Sequence, residues 1–432
     1  MTVSLLVLLI SFVGALILGL PVAWALMTSV LAWVITTGNW QYLPVMPERL
    51  FQGMDSFLLM SIPLFILAGE LVNEGRITDR LVHFANVMFG WMRGGLAQVN
   101  IGASILFSGI TGVALGDIAA LGQLFIPAMV KQGYTSAYAA AVTASSSIIG
   151  PMVPPSLIAV IYGSITDLSI GALMAACLLP GLVIGLAQMT LVAFQARIHQ
   201  FPRVEADRSP SAIAHATGGA LVPLMIPVII LAGLLSGVMT PTEAGGVAVA
   251  YALVVSMLLY RSIRMPALLA VFRRSSVFSG QLLIIVGCGA AFSWVMGMEN
   301  VPAAMGRLVA DLGLGYVGSM LVFNAMLLVL GCFIDPTTAI IIFGPLLSAA
   351  AIHAGIDPLH FGVVAILNLN IGLLTPPLGV CLFAAERIAR CGFMPLLRAI
   401  TPFLLTNLVG LGLISAFPAL SLWLPQALGL IP

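Results

Sequence analysis

The sequence predicts an all-α polytopic membrane protein, and three observations carry that expectation. Of its 432 residues, 61% are hydrophobic and only 7% are Asp, Glu, Lys or Arg, against roughly 25% charged in a soluble domain. Apolar stretches of about the 20 residues that a helix needs to cross a bilayer recur along the whole chain. Two of them, GPMVPPSL (Gly150–Leu157) and GLLTPPLG (Gly372–Gly379), hold a double proline in mid-segment. Proline removes a backbone donor and clashes with the preceding turn, so Pro154-Pro155 and Pro376-Pro377 should each break a helix. In lipid such a break is tolerated only where it lines a protein-buried or water-filled cavity.

In chain order, Val3–Thr37 reads as one very long helix or as two short ones meeting at Gly19-Leu20-Pro21. The segment lacks a basic leader and a small-residue cleavage site, so it is expected to be a first membrane segment rather than a signal peptide. Phe57–Val72 follows as a span. Arg76–Arg93 intersperses Arg76, Asp79, Arg80 and His83 among apolar residues, which suits a helix lying along the membrane surface. Gly95–Val130 is interrupted by SGITGVALGD, so a re-entrant hairpin fits better than one straight span. Ala137–Asp167 contains the first double proline, and Ile170–Ile198 is a long span. After the polar loop HQFPRVEADRSPSA come spans at Gly218–Val238 and Ala244–Tyr260, joined by Thr240-Pro241-Thr242-Glu243, with Glu243 in a first helical turn. Beyond a basic linker lie Val277–Met298, a short amphipathic piece around Arg307, and Met320–Ala351, a second hairpin with Phe333–Thr338 at its tip. Phe361–Ile388 holds the second double proline, and Phe403–Leu424 is the last span.

The order hairpin, broken helix, span therefore occurs twice, the pattern of two inverted repeats around one site. On this parse residues 1–94 form scaffold helices with an interfacial arm, 95–200 the first transport repeat, 201–315 further scaffold helices with a second arm, and 316–432 the second transport repeat. With the first hairpin open to the cytoplasm and the second to the outside, all of the 16 Lys and Arg residues except Arg49 and Arg307 fall on the cytoplasmic side. The positive-inside rule favours this orientation over its mirror image.

Two such breaks point to the ion and substrate site of a secondary transporter. An interrupted helix exposes its last carbonyls to a cation and its first amides to an anion. Sodium is a hard cation and calls for oxygen ligands. Ser108, Thr111 and Gly112 at the first hairpin tip could meet Ser145, Ser146, Ser147 and Gly150 at the first break. Asp335, Thr337 and Thr338 at the second tip could meet Asn368, Asn370, Gly372 and Thr375. An anionic substrate would use hairpin-tip amides at helix N-termini, with Ser156 and Gly379 as candidate contacts. A charge at mid-membrane costs ~2.5–3.5 kcal/mol even on the lenient insertion scale. Asp335 is accordingly read as an ion ligand or as the cap of a helix starting at Pro336, two roles that do not exclude each other. Asp117 is read first as a cap on the second arm of the first hairpin, with the ligand role left open, and Glu70 as either kind of residue. Isolated Pro127, Pro180 and Pro223 read as kinks, and His83, His199, His215, His353 and His360 as interfacial residues.

Other chemistries fare poorly. Lys131 is the only lysine and no glycine precedes it, so there is no P-loop for ATP. Leu115-Gly116-Asp117 has Ala114 where an intramembrane aspartyl protease would need glycine, and no Ser–His arrangement stands out. An enzyme is therefore not expected, nor a cofactor beyond sodium as coupling ion. Five cysteines (Cys177, Cys288, Cys332, Cys381, Cys391) lie in apolar stretches without paired spacing and read as small core residues. Net charge is +1 and no basic run suggests nucleic acid. The stronger rival is a passive channel, which broken helices also build; hairpins paired with broken helices favour closed sites that must move.

Over nearly its whole length the sequence resembles the large membrane subunit of tripartite ATP-independent periplasmic (TRAP) transporters. The resemblance rests on Ser56–Val72, Gly94–Gly112, Ala119–Met129, Gly150–Ser156, Thr240–Leu253, Asp335–Ile342 and Asn370–Gly379, in that order. It implies a multi-pass protein of the bacterial inner membrane that imports an organic anion, usually a carboxylate, coupled to sodium. It also implies an elevator movement of a transport domain against a scaffold, as in ion-transporter-superfamily folds. The partners it implies are a small four-helix membrane subunit, expected here as a separate chain, and a soluble periplasmic substrate-binding protein. One stretch departs from the family pattern: the tip reads TGVALGD (Thr111–Asp117), with Val113 where a hydroxyl is expected, so the second sodium site is the firmer one.

Overall fold

Lipid offers no partner for a free backbone amide or carbonyl, so a chain this apolar must satisfy its backbone within helices. The computed structural model describes residues 3–75, 78–198, 200–201, 209–311, 313, 315–376 and 379–431, with side chains throughout except at 3, 78–79, 108–111 and 308–311. Among these residues there are helices and turns and no strand. Among the described residues eight helices are long and apolar enough to cross a membrane, or nine if one bent pair counts as a span.

The first long apolar stretch resolves into the two-helix alternative. α1 (Val3–Ile17) and α2 (Val22–Thr37) pack against each other across a turn in which Gly19 has φ +79°. α3 (Val45–Met54) forms where the sequence reading assigns no element, and the chain then bends by 61° into α4 (Ser61–Glu74). α5 (Thr78–Phe89) packs on α6 (Gly95–Thr111), which forms a hairpin with α7 (Ala114–Lys131). α8 (Ser136–Ser147) and α9 (Leu157–Ile165) flank the first double proline, and α10 (Ile170–Ile198) follows.

α11 (Pro210–Leu235) begins earlier than expected because Ser209 caps it, its Oγ accepting from the Ala212 amide at 3.2 Å. Thr240 and Glu243 form a reciprocal capping box that starts α12 (Pro241–Leu253). α13 (Met265–Met298) corrects a second boundary: the expected basic linker is helical, and Arg273 and Arg274 lie inside it. Arg274 reaches out to Glu70 at 3.3 Å and Glu74 at 2.7 Å, pinning α13 to α4. α14 (Val301–Asp311) leads to α15 (Gly315–Phe333) and α16 (Pro336–His353). α17 (Pro358–Gly372) and α18 (Val380–Ala389) flank the second double proline. The expected last span is two helices, α19 (Phe393–Ala416) and α20 (Ala419–Ala427), parted at Phe417-Pro418, since the residue before proline is pushed out of helical geometry. Pro127, Pro180 and Pro223 sit within helices that continue through them.

α8 and α17 are the innermost elements. Every residue from Tyr138 to Ser147 and from Leu359 to Gly372 is buried, which is why neither helix shows an amphipathic pattern. The halves interlock: α9 packs on α16 and α17, α18 packs on α7 and α8, and α19 lies against both α8 and α17. A smaller second core joins α1 and α2 to the far end of α13, with Phe12 and Phe292 at 5.5 Å between ring centres. His360 is a correction: it is 0% exposed, its Nδ1 3.1 Å from Ser421 Oγ, and is no interfacial residue.

Candidate functional site

At the first break, α8 ends in three consecutive serines that point three ways, as about 100° per residue requires. Ser145 Oγ accepts from Asn407 Nδ2 of α19 at 3.1 Å, Ser146 Oγ accepts from Ser104 Oγ of α6 at 2.9 Å, and Ser147 Oγ donates to the Ala144 carbonyl at 2.8 Å. They therefore do not converge on one ion. The chain beyond them turns on itself, with the Gly150 amide on the Ser147 carbonyl at 3.2 Å and the Val153 amide on the Ile149 carbonyl at 3.0 Å. Ser156 caps α9: its Oγ accepts from the Ala159 amide at 3.2 Å and donates to the Pro151 carbonyl.

The first hairpin tip does meet this break. Gly112 has φ +59°, and a Cβ placed there would stand 2.9 Å from the Leu157 nitrogen and 3.4 Å from the Pro155 oxygen. Gly150 is equally committed, since a Cβ on it would lie 2.3 Å from Asp117 Oδ2. Asp117 itself is 1% exposed and does not cap α7; Val113 holds the cap position, without a side-chain bond. The side chains of Ser108 and Thr111 lie outside the described residues.

At the second break, α17 ends at Gly372, which lies directly on Gly331 of α15: a Cβ on Gly372 would come 2.4 Å from the Gly331 carbonyl carbon. Asn368 donates to Asn324 Oδ1 at 2.7 Å, and Asn324 donates to Ser415 Oγ at 2.9 Å, tying α17 to α15 and α19. Asn370 donates to the Ile366 carbonyl at 2.7 Å. Both asparagines are 0% exposed, and neither Oδ1 has a hydrogen-bond partner among the described residues. Thr375 Oγ1 donates to the Ile371 carbonyl at 3.0 Å. Pro376 is exposed, Pro377 lies outside the described residues, and α18 restarts at Gly379 (φ +45°) without a side-chain cap. Asp335 is exposed and caps α16, its Oδ1 accepting from the Thr338 amide at 3.1 Å; Thr337 is half-buried beside it.

Sequence reasoning missed the polar residues that hold these helices in place. Gln188 of α10 donates to the Ser145 carbonyl at 3.0 Å and to Asn407 Oδ1 at 2.9 Å, and Asn100 of α6 donates to Thr143 Oγ1 at 2.7 Å. The signal was available, since amides inside apolar spans are costly and mark interior faces. A cavity of about 250 Å³ adjoins the first tip and break, lined there by Gly112, Val113, Pro155 and Leu157 and elsewhere by Glu70 and Asn73 of α4 and Phe278 of α13.

Interrupted helices locked to hairpins around buried amide oxygens, with a cavity at their contact, define a polytopic membrane transporter. The sequence model of the tripartite ATP-independent periplasmic transporter, DctM component, matches residues 9–420, and the chain belongs to that family. It is 35% identical over 418 residues to the sialic acid TRAP transporter large permease SiaM of Vibrio cholerae, covering 96% of this chain and 97% of that one. It is also 35% identical to the C4-dicarboxylate TRAP transporter large permease DctM of Pseudomonas aeruginosa, covering 88% of this chain and 89% of that one. The fold is shared with the solved structure of Neisseria gonorrhoeae MtrF, at TM-score 0.59 and 13% identity, covering 88% of this chain and 84% of that one. The protein is thus a transport permease rather than an enzyme, multi-pass in the bacterial inner membrane.

Proposed function

We propose that this chain is the membrane-spanning permease of a sodium-coupled importer of organic carboxylates. It receives substrate from a periplasmic binding protein and works beside a small four-helix membrane subunit. The relatives named for sialic acid and C4-dicarboxylates support the carboxylate class. The observation that carries sodium coupling is Asn370, a fully buried amide whose Oδ1 lacks a partner where α17 gives way to the break. A buried acceptor without a donor costs ~1–3 kcal/mol, and a hard cation removes that cost. Asn368, about 200° further round α17, faces Asn324 instead, so on this reading Asn370 Oδ1 is the side-chain ligand, with Thr375 Oγ1 following it in the break. At the first break, Gly112, Gly150 and the Asp117 carboxylate form the counterpart, together with Ser147.

The two hairpin and broken-helix units, related as inverted repeats, are the moving elevator body. α4, α11, α12 and α13 belong to the scaffold it moves against. The positive-inside rule supports a cytoplasmic start for α13, where Arg273 and Arg274 lie; Glu70, the partner of Arg274, lines the cavity at the first break, which on this reading opens inward.

Uptake by proteoliposomes holding all three components tests this reading. Accumulation should require an inward sodium gradient and the binding protein. Undiminished uptake without sodium, or uptake that never exceeds equilibrium, would replace it with a proton-coupled carrier or a channel. Cysteines placed near Arg264 and Thr242 test the orientation: the second should react with an impermeant thiol reagent in intact cells and the first should not.

A further inference from the structure

A second cavity, of about 490 Å³, lies at the opposite end of α9 from the first, and its size suits a small molecule. Leu157 at one end of α9 lines the first cavity, and Ser164 and Ile165 at the other end line the second. A nine-residue helix separates them, about 13 Å at ~1.5 Å per residue. α13 forms a wall of both, with Phe278 in the first and Val286, Ser293 and Trp294 in the second. The second cavity is bounded by α3 and α13 on one side and by α9 and α16 on the other, so it lies between the elements read above as scaffold and as moving body.

Its lining is unlike a lipid-facing crevice. Arg49 of α3 stacks over Trp294, 5.4 Å from the ring centre, and donates to Gln52 Oε1 at 3.1 Å. Its Nε is buried and has no hydrogen-bond partner among the described residues. Ser56, Ser164 and Ser293 add hydroxyls, and Asp167 lines the same space. Arg49 is one of the two basic residues that the charge pattern places outside. A planar guanidinium oriented against an aromatic ring, with donors left over, matches a carboxylate. Asp167 would repel a second carboxylate but accepts from hydroxyls.

We propose that this cavity is the outer receiving site of the permease, where Arg49 binds the carboxylate of a hydroxylated monocarboxylate before the moving body carries it toward the inner side. The inference rests on the import of carboxylates proposed above and adds the place of entry, the anchoring residue and the substrate class.

Trp294 supplies a readout that needs neither a gradient nor the partner proteins. The full chain in lipid nanodiscs is titrated with sodium gluconate, with sodium succinate and with sodium chloride at matched ionic strength. The signal is the emission of the wild type minus that of Trp294→Phe. Gluconate should give a saturable change, at lower concentration than succinate, and chloride none. Arg49→Gln should raise the half-saturating gluconate concentration roughly ten-fold or more, the scale of a lost charge-assisted hydrogen bond. Arg49→Lys, which keeps the charge without the fork, should raise it less, and thermal melting of both variants checks that they fold. No saturable change with gluconate, succinate binding as tightly, or an Arg49→Gln curve superimposed on the wild type each overturns the proposal. Sodium-independent uptake would overturn the coupling proposed earlier and leave this titration standing.

Discussion

Around the first break the helices bury a carboxylate, Asp117, against Gly150; around the second they bury two neutral amides, Asn368 and Asn370, while Asp335 stays exposed. The two acids look alike in sequence, each lying at a hairpin tip. Position relative to the helix start separates them. Asp335 immediately precedes Pro336, the first residue of α16, which is the cap position, and its Oδ1 takes the Thr338 amide. Asp117 is a turn further in, on the face of α7 that also buries Leu121 and Phe125. A cap needs only an oxygen, whereas a charge carried to membrane depth is costly. Asp335 is thus the cap and Asp117 the buried charge, and the function proposed above accordingly gives the ligand role to Asp117.

The strongest test of the comparison concerns its glycines, because one meets backbone and the other a side chain. Gly372→Ala puts a methyl 2.4 Å from the Gly331 carbonyl carbon, so α15 and α17 must separate. That overpacking should cost about 1–3 kcal/mol or more and remove most folded protein from the membrane, measured as detergent-soluble yield and melting temperature. Gly150→Ala meets the Asp117 carboxylate, which can rotate away, so the protein should fold while transport falls. Equal melting of Gly372→Ala and the wild type would show that the close approach is wrong.

Next in size is Asn370→Ala. Losing a buried oxygen ligand should raise the sodium needed for half-maximal uptake by roughly 5- to 150-fold, corresponding to ~1–3 kcal/mol, with expression unchanged. An unaltered sodium dependence would make Asn370 a packing residue. Smaller again is Ser156→Ala, which removes the α9 cap. It should cost about 1 kcal/mol of stability without altering the sodium requirement; a shift in that requirement would return Ser156 to the site.

Much of the architecture was legible because its signals are local. Double prolines mark both breaks, the Gly and Asp residues of the two tips mark the turns, and Thr240 with Glu243 spells out a capping box. What stayed hidden depends on distant partners. The start of α13 was obscured by Arg273 and Arg274, which read as linker until Glu70 and Glu74 are seen beside Arg274. α3 was missed because its stretch, with Pro44, Pro47, Glu48 and Arg49, has no sustained apolar run. The three serines of α8 read as one ligand cluster, yet helical geometry turns Ser145 and Ser146 toward different neighbours. Their partners, Asn407 and Ser104, lie far away in the chain.

The half-saturating sodium concentration for uptake, measured in parallel for Asp117→Asn and Asp335→Asn, tests the central claim most directly. Asparagine caps a helix as well as aspartate but carries no charge. The account predicts a rise of roughly ten-fold or more for Asp117→Asn, the scale of a lost charged partner, and a wild-type value for Asp335→Asn. A shifted value for Asp335→Asn beside an unshifted Asp117→Asn would contradict it.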